Sequence, residues 1–289
     1  MGEQQSLLCK NEEIEITERE FTAVREIMYE LTGVYLRPSK KKLVINRLRK
    51  RLDELGLKSF EAYVAILRKG NAAEVEFFVN AITTNETYFF RHTKQFNYFF
   101  EQVLPRVCEY RASVQREVRV WSAACSTGEE PYSIAIALQE FFKNRPGWRG
   151  TVYASDVNSR VLARARAGQY RERSLRFTPQ ALRQRYFRAL SSAPYPEGTA
   201  IYEVVPNVKN AVVFQQHNLV NVFPHRDIDV VFLRNVMIYF DQNMKEQVLH
   251  MLQRILRPGG YLIIGLSENL NNIDEPMEYI YGGIYRKQQ

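Results

Sequence analysis

VWSAACSTGEEPYSIA, Val120–Ala135, decides how this chain reads. An apolar start gives way to small residues, then to one glycine, two acids and a proline. That order predicts a buried strand, a small-residue loop and the first turn of a helix. In a doubly wound α/β sheet such a step binds ligands, which sit at the carboxyl ends of the strands. A dinucleotide fingerprint would use several glycines to bring backbone against a pyrophosphate. This loop has only Gly128, and Glu129 and Glu130 follow it. Acids favour the first turn of any helix through its dipole, but beside a site they repel phosphate and attract a cation.

Outward from this stretch the α/β pattern continues. VRVWSAA (118–124), TVYASD (151–156), AVVFQQHN (211–218), DVVFLRN (229–235) and GYLIIGLS (260–267) are short apolar strands separated by helical or loop segments. Strands alternating with helices imply a mostly parallel sheet. The alternation breaks between Tyr170 and Asn210, where AIYEVV (200–205) reads as an isolated strand within an insertion. Residues 17–110, by contrast, read as all-helical. Thr17 and Glu20 suit a capping box, with Phe21, Val24, Ile27, Met28 and Leu31 at helical spacing behind it and Gly33 as the stop. A second helix is predicted from Pro38-Ser39 to about Leu55, a third over Ser59–Lys69, and a fourth from Ala72. The expected organisation is a short flexible N-terminus (1–16), a helical domain (17–92), a linker helix (93–117) and an α/β domain (118–289) with an inserted β-subdomain at about 170–212.

The 289 residues are 45% hydrophobic, enough for two domains of unequal size and too apolar for disorder. No apolar run approaches the ~18 residues of a membrane span, and the N-terminus lacks the features of a signal peptide. Cys9, Cys108 and Cys125 are odd in number and without CxxC spacing, and read as reduced thiols of a cytoplasmic protein. The four histidines show no metal-ligand spacing, so no metal is expected.

A net charge of +8 predicts an acidic partner: nucleic acid, anionic lipid or an acidic protein surface. Much of that charge lies in one helix, where Arg37, Lys40, Lys41, Lys42, Arg47, Arg49, Lys50 and Arg51 occur with no acid among them. At ~100° per residue, Val44, Leu48, Leu52 and Leu55 form its buried stripe, while Lys40, Arg47 and Arg51 share one flank. Such a run is often a plain solvated face. Lacking intrahelical pairing, this one suits a docking surface for an acidic helix or nucleic acid.

A ligand with an ammonium group, a sulfonium and an uncharged ribose linkage answers the acids at 129 and 130, and S-adenosylmethionine has all three. Asp156, at the end of TVYASD, could accept hydrogen bonds from ribose hydroxyls. Five blocks then carry a resemblance: TTNETYFFR (83–91), VWSAACSTGEEPYSIA (120–135), ASDVN (154–158), QHNL (216–219) and RNVMIYFD (234–241). In this order they resemble the CheR-type chemotaxis receptor methyltransferases, which esterify glutamates of bacterial chemoreceptors. The resemblance implies a Rossmann-like class I S-adenosylmethionine-dependent methyltransferase domain with a β-subdomain insertion, and a small all-helical N-terminal domain.

It also implies roles. Asn85, Thr87 and Arg91 look like cofactor contacts, either Glu129 or Glu130 like the acid holding the donor's amino group, and Asp156 like the ribose acceptor. Asn218 and Leu219 are similar to residues lining the adenine. Arg234 and Asn235 match a pair near the methionine moiety, and Tyr239 looks like the tyrosine facing the methyl group. Arg91 and Tyr239 are the expected catalytic residues, acting by placement; Cys125 reads as packing. The implied product is S-adenosylhomocysteine. The implied partners are the acidic methylation helices of chemoreceptors, met by the Lys40, Arg47 and Arg51 flank, with membranes involved only through receptors, no nucleic acid, and a monomer expected. Gripping of a receptor C-terminal peptide is not expected, because the segment 188–204 has only Gly198. Two alternatives stand beside this reading. A nucleic-acid methyltransferase would typically place Pro-Pro-aromatic where LRNVMIYF stands; a donor-sensing adaptor would bind donor without transfer.

Overall fold

The computed structural model describes residues 14–190, 200–270 and 277–288, and the chain forms two compact units. Of the described residues, one takes in those up to Leu31 together with Leu36–Ile82, and the other takes in Thr32–Tyr35 and those from Thr83 onward.

The smaller unit consists of α1 (Glu18–Thr32), a 3₁₀ turn at Pro38–Lys40, α2 (Lys41–Glu54), α3 (Phe60–Arg68) and α4 (Ala72–Ile82). Side-chain caps start α1, α3 and α4, while α2 continues from the 3₁₀ turn without one. The Thr17 amide donates to Glu20 at 2.8 Å and the Glu20 amide to the Thr17 hydroxyl at 3.2 Å, a reciprocal capping box. The free oxygen of Glu20 accepts from the Glu61 amide at 2.8 Å and so serves the start of α3 as well. Ser59 and Asn71 cap α3 and α4 through the amides of Ala62 and Glu74.

Two expectations for α2 are corrected. Val44, Leu48 and Leu52 are buried, but Leu55 is 37% exposed. It sits at the C-cap, just before Gly56 (φ 67°), where the helical face ends. Arg47 and Arg51 also do not stand out together as a free flank. Arg47 Nη1 donates to the Ala81 and Ile82 carbonyls at 3.2 and 2.6 Å, satisfying the end of α4. Arg51 Nε and Nη2 grip buried Glu74 at 3.1 and 2.6 Å, and the guanidinium lies 4.6 Å from the Phe77 ring. Lys41 pairs with Glu18 at 2.6 Å. Glu54, at the end of α2 itself, adds a pair to Arg51 at 3.1 Å, but Glu18 and Glu74 come from other helices, which spacing within α2 cannot reveal. Lys40 and Lys42 remain exposed.

The larger unit begins with α5 (Thr93–Tyr98), a π-helical turn at Phe99–Val103 and α6 (Leu104–Ala112). Pro105 has no N–H to give the preceding turn, and the π winding stands immediately before it. Phe96, Phe99, Val103, Leu104 and Val107 are buried among the residues that cover the sheet, so this stretch is part of the α/β core rather than a linker. Residues 83–92 likewise cluster with this unit, ten residues before the expected boundary. Their hydrogen bonds reach Ser126, Ser133, Asn158 and Ser174 of the α/β unit.

The sheet follows from β1 (Glu117–Ala123), α7 (Glu129–Phe142), β2 (Arg149–Asp156), α8 (Ser159–Ala167), then β3 (Gln169–Arg171), α9 (Gln180–Tyr186), β4 (Phe187–Ala189), β5 (Ile201–Val204), α10 (Pro206–Asn210), β6 (Val212–Gln216), β7 (Ile228–Leu233), α11 (Gln242–Ile255), β8 (Leu256–Ile264), β9 (Met277–Tyr281) and β10 (Ile284–Lys287). Seven strands line up as β6-β2-β1-β7-β8-β10-β9, with β10 antiparallel to both neighbours and the first five parallel. Val120 pairs with Val152 on one side and Val230 on the other. The chain steps outward from β1 through β2 to β6, then returns to β7 on the other side. The order therefore reverses at β1, and the crevice for a ligand opens at the carboxyl ends of β1 and its neighbours.

The central strands β1, β7 and β8 are buried on both faces, as a parallel sheet requires. Val118, Val120 and Phe232 face one apolar cluster, while Trp121, Leu233 and Leu262 face the other. The insertion is an antiparallel sheet of order β3-β5-β4. AIYEVV supplies its central strand β5, so the isolated strand expected there has partners on both sides. The β9–β10 hairpin was not among the expected strands, although Gly282-Gly283, both at positive φ, marks its turn. The glycine-poor part of 188–204 falls largely outside the described residues, as do Cys9 and the first thirteen residues of the N-terminus.

Candidate active site

Beyond Ala123 the chain needs an unusually tight path. Ala124 (φ 60°), Ser126 (φ 50°) and Gly128 (φ 95°) all take left-handed backbone, which small side chains tolerate best. A Cβ on Gly128 would lie 2.8 Å from the Tyr170 hydroxyl and 2.9 Å from the Ala165 Cβ. The turn does not offer its amides to a phosphate. Cys125 N donates to the Ser155 carbonyl at 2.8 Å, and Ser126 N to Asp156 Oδ2 at 2.8 Å. Phe90, His92 and Asn235 are also at positive φ, so five of the six non-glycine residues in that region surround this one crevice. Strain concentrated in this way is typical of functional sites.

The adjacent acids have different fates. Glu130 accepts from Ser122 Oγ at 2.7 Å and pairs with Arg234 Nη1 at 3.1 Å. Burial pushes its carboxyl upward, with Arg234 pulling it back. Glu129 is 4% exposed and accepts from two hydroxyls, Thr127 Oγ1 at 2.6 Å and Ser174 Oγ at 3.3 Å, and from its own backbone amide. Burial pushes its pKa up to about 7. It is a buried carboxylate without a cation.

At the end of β2, Asp156 accepts from the Ser126 amide on one oxygen and the Asn158 amide on the other, at 2.8 and 2.9 Å. Its carboxyl is pushed up by burial despite these bonds. Asn158 caps α8 and donates to Thr83 Oγ1 at 2.7 Å, tying the 83–91 stretch to this corner. The stretch is fastened along its length: the Asn85 carbonyl accepts from Ser126 Oγ at 2.9 Å, the Phe89 amide donates to the Ser174 carbonyl at 3.0 Å, and the Phe90 amide to Ser133 Oγ at 3.0 Å. Thr87 is half-buried within it. Arg91 donates through Nη1 to the Glu86 carbonyl at 2.9 Å and leaves a buried Nε without a partner. His92 is held neutral, its pKa lowered to about 4 by burial and by Arg234 and Arg91.

Beyond β7, Arg234 is buried between Glu130 and the Arg91 carbonyl, to which Nη2 donates, and its Nε is unpartnered. Asn235 (φ 60°) starts a turn that ends at Tyr239. Glu268 holds it: Oε2 accepts from Gly265 N at 2.6 Å and Asn235 N at 2.9 Å, and Oε1 from Ile238 N at 3.2 Å. The half-buried Tyr239 accepts through its carbonyl from the Tyr35 amide at 2.7 Å. After β6, Asn218 Oδ1 accepts from Val220 N at 3.3 Å, and Leu219 is buried beside Trp121 and Ala123.

Hydrogen bonds thus link Asn85, Arg91, Glu130, Asp156 and Arg234 around one crevice, with Glu129 and Asn235 tied to flanking loops. A carboxylate lacking a cation and two guanidinium Nε atoms lacking acceptors fit a ligand that carries an ammonium group and a carboxylate. Two family descriptions match the chain: "CheR methyltransferase, SAM binding domain" over residues 85–285 and "CheR methyltransferase, all-alpha domain" over 19–83. A chemotaxis protein methyltransferase of Salmonella typhimurium is 39% identical over 276 residues, covering 94% of this chain and 91% of that protein. Its Escherichia coli counterpart is 37% identical (94% and 92% covered), and that of Borreliella burgdorferi 35% (96% and 97%).

The chain belongs to the CheR methyltransferase family. It is accordingly an S-adenosylmethionine-dependent methyltransferase with a helical N-terminal domain, as the sequence blocks implied. Among the described residues no cluster of His, Cys, Asp and Glu could hold a metal ion, and no helix is long and apolar enough to cross a membrane.

Three supports of this CheR-family crevice escaped the sequence reading. Asn158 carried a usable signal, an N-cap residue before an apolar run. Glu268 carried a fainter one, an acid just past the end of a buried strand. Ser174 gave none, because its place beside Glu129 depends on how the insertion folds back.

Proposed function

We propose that this protein methylates glutamate side chains in the cytoplasmic helices of chemoreceptors, forming 5-O-methyl esters. The observation that carries the reading is the buried Glu129, which has no cation among the described residues, beside a crevice that holds two guanidiniums. His92, which feels both arginines, is a poor proton acceptor with a pKa of about 4, and in this reading Glu129 is committed to the donor's ammonium group. An acceptor that arrives already ionised needs no base. A glutamate carboxylate, with a pKa of about 4.3, does so at neutral pH. The names of the relatives, chemotaxis protein methyltransferases, point the same way.

When bound, S-adenosylmethionine supplies an electrophilic methyl on a sulfonium sulfur. The chain's own residues bind, orient and exclude water. Glu129 takes the ammonium group, because Glu130 already has Arg234 as counterion. Asp156 receives the ribose hydroxyls, and Asn218 and Leu219 line the adenine. Asn85, Thr87 and Asn235 complete the enclosure, and Arg234 fixes Glu130 while facing the methionine carboxylate. Arg91 orients the acceptor carboxylate and Tyr239 positions the methyl end. The ester is neutral, so a permanent cation at Arg91 holds reactant more firmly than product, which favours release. Lys40 and Lys42 of the helical unit add positive charge that speeds encounter with acidic receptor helices.

The direct test is transfer of a radiolabelled methyl group to receptor-containing membranes, followed by alkali. Volatile methanol released by base is expected. Base-stable label would place the methyl on nitrogen and overturn the reading, and donor binding without incorporation would favour an adaptor.

A further inference from the structure

The acidic substrate needs cations close to the reacting carboxylate, and the α2 arginines nearest in character to that task are spent on Glu74 and on the end of α4. A second arginine-rich stretch lies inside the α/β unit. It follows β3 as RERSLRF, Arg171–Phe177, and contains a 3₁₀ turn at Glu172–Leu175. Its only acid, Glu172, pairs with Arg183. Arg171, Arg173 and Arg176 are exposed, and among the described residues none of them has an ion pair.

The stretch is fixed against the crevice. The Ser174 carbonyl accepts from the Phe89 amide at 3.0 Å, and its hydroxyl reaches Glu129 at 3.3 Å. Arg176 is held by its Nη1 on the Arg173 carbonyl at 3.0 Å and lies 4.1 Å over the Tyr88 ring and 5.1 Å from the Phe177 ring. Tyr88 in turn has Arg91 on it, 5.7 Å from the ring centre. Phe177 packs on Tyr88 at 5.1 Å and is nevertheless 52% exposed. The result is a continuous layer of Arg176, Phe177, Tyr88 and Arg91 at the mouth of the site.

We infer that Arg171–Phe177 is a cationic, aromatic lip that grips the acidic segment flanking the acceptor glutamate. This rests on the proposed glutamate methylation and adds to it the surface that selects the acceptor. Unpaired guanidiniums suit carboxylates on neighbouring helical turns of the substrate, and a half-exposed phenylalanine over a tyrosine suits the apolar residues between them. Because the lip touches Glu129 only through Ser174, its arginines act on acceptor binding and leave donor binding alone.

The test uses the full chain with receptor-containing membranes and compares Arg173→Glu, Arg176→Glu and Phe177→Ala. Each is expected to raise KM for receptor, by about tenfold for a charge reversal, with kcat and the affinity for S-adenosylhomocysteine within about twofold. The wild-type KM should rise steeply with salt and that of the reversals less so. Among the described residues Arg173 makes no bond through its side chain, so Arg173→Glu stays informative if Arg176→Glu disturbs Tyr88. Unchanged KM in Arg173→Glu with an active wild type overturns the lip alone. A wild type that transfers no base-labile methyl overturns the lip together with the reading it rests on.

Discussion

Two glutamates, Glu74 in the helical unit and Glu129 in the α/β unit, are each 4% exposed and each open a helix. Their environments are opposite. Burial pushes the Glu74 carboxyl up, but Arg51 and the Tyr63 hydroxyl, at 2.6 and 2.7 Å, outweigh it and leave the pKa lowered. At Glu129 burial is opposed only by neutral hydroxyls and a backbone bond, and the pKa rises to about 7. A buried acid that has its counterion within the chain is a structural joint. A buried acid without one is a place for a ligand to bring the cation.

The largest effect that would break this contrast is on stability. Glu74→Ala leaves half-buried Arg51 with only the exposed Glu54 and Tyr63 without its acceptor, and should destabilise the helical unit by about 3 kcal/mol. Denaturant unfolding measures it. The affinity for S-adenosylhomocysteine should stay unchanged, since Glu74 is in the other unit. A loss of ligand affinity with intact stability would reverse the two roles.

Glu129→Gln should do the converse. The amide keeps the shape and the hydroxyl contacts but cannot offset an ammonium charge, so affinity for S-adenosylhomocysteine by calorimetry should fall by about 30-fold, or about 2 kcal/mol. Stability should hold or rise, because an uncompensated buried charge is removed. If Glu130→Gln caused that affinity loss and Glu129→Gln did not, the acid pairing with the donor would be Glu130.

The same contrast explains what was legible in the sequence. Strands β1, β2, β6, β7 and β8 announced themselves because buried parallel strands are continuous apolar runs. The short strands β3 and β4 did not, since three residues carry no periodicity. The place of Asp156 at the end of β2 was readable from the strand pattern, whereas Arg234 was singled out only through the resemblance. Pairing was not readable. Arg51 lies 23 residues from Glu74 and Glu130 lies 104 from Arg234, so neither the loss of the α2 docking flank nor the choice between the two acids could be read along the chain.

The smallest and sharpest consequence is a pH dependence. With a pKa of about 7 in the folded, ligand-free protein, Glu129 is half-protonated at neutral pH and mostly protonated at pH 6. Only the carboxylate pairs with an ammonium group, so binding expels the proton, and affinity should fall about tenfold between pH 8 and pH 6 as the free site takes up protons. Above pH 8 the curve should be flat until the ligand's own amine titrates. Stability of the ligand-free protein carries the opposite sign. The unfolded carboxyl titrates near 4.3, so between about pH 4.3 and pH 7 the folded state holds more protons from this group than the unfolded state does. Its contribution to stability therefore falls as pH rises through that window. Adding S-adenosylhomocysteine should cancel the fall by supplying the cation. Calorimetry in two buffers of different ionisation enthalpy reads the released proton directly. About half a proton is expected at pH 7, and none at any pH between 6 and 8 would mean that Glu129, like Glu74, already has its charge compensated within the chain.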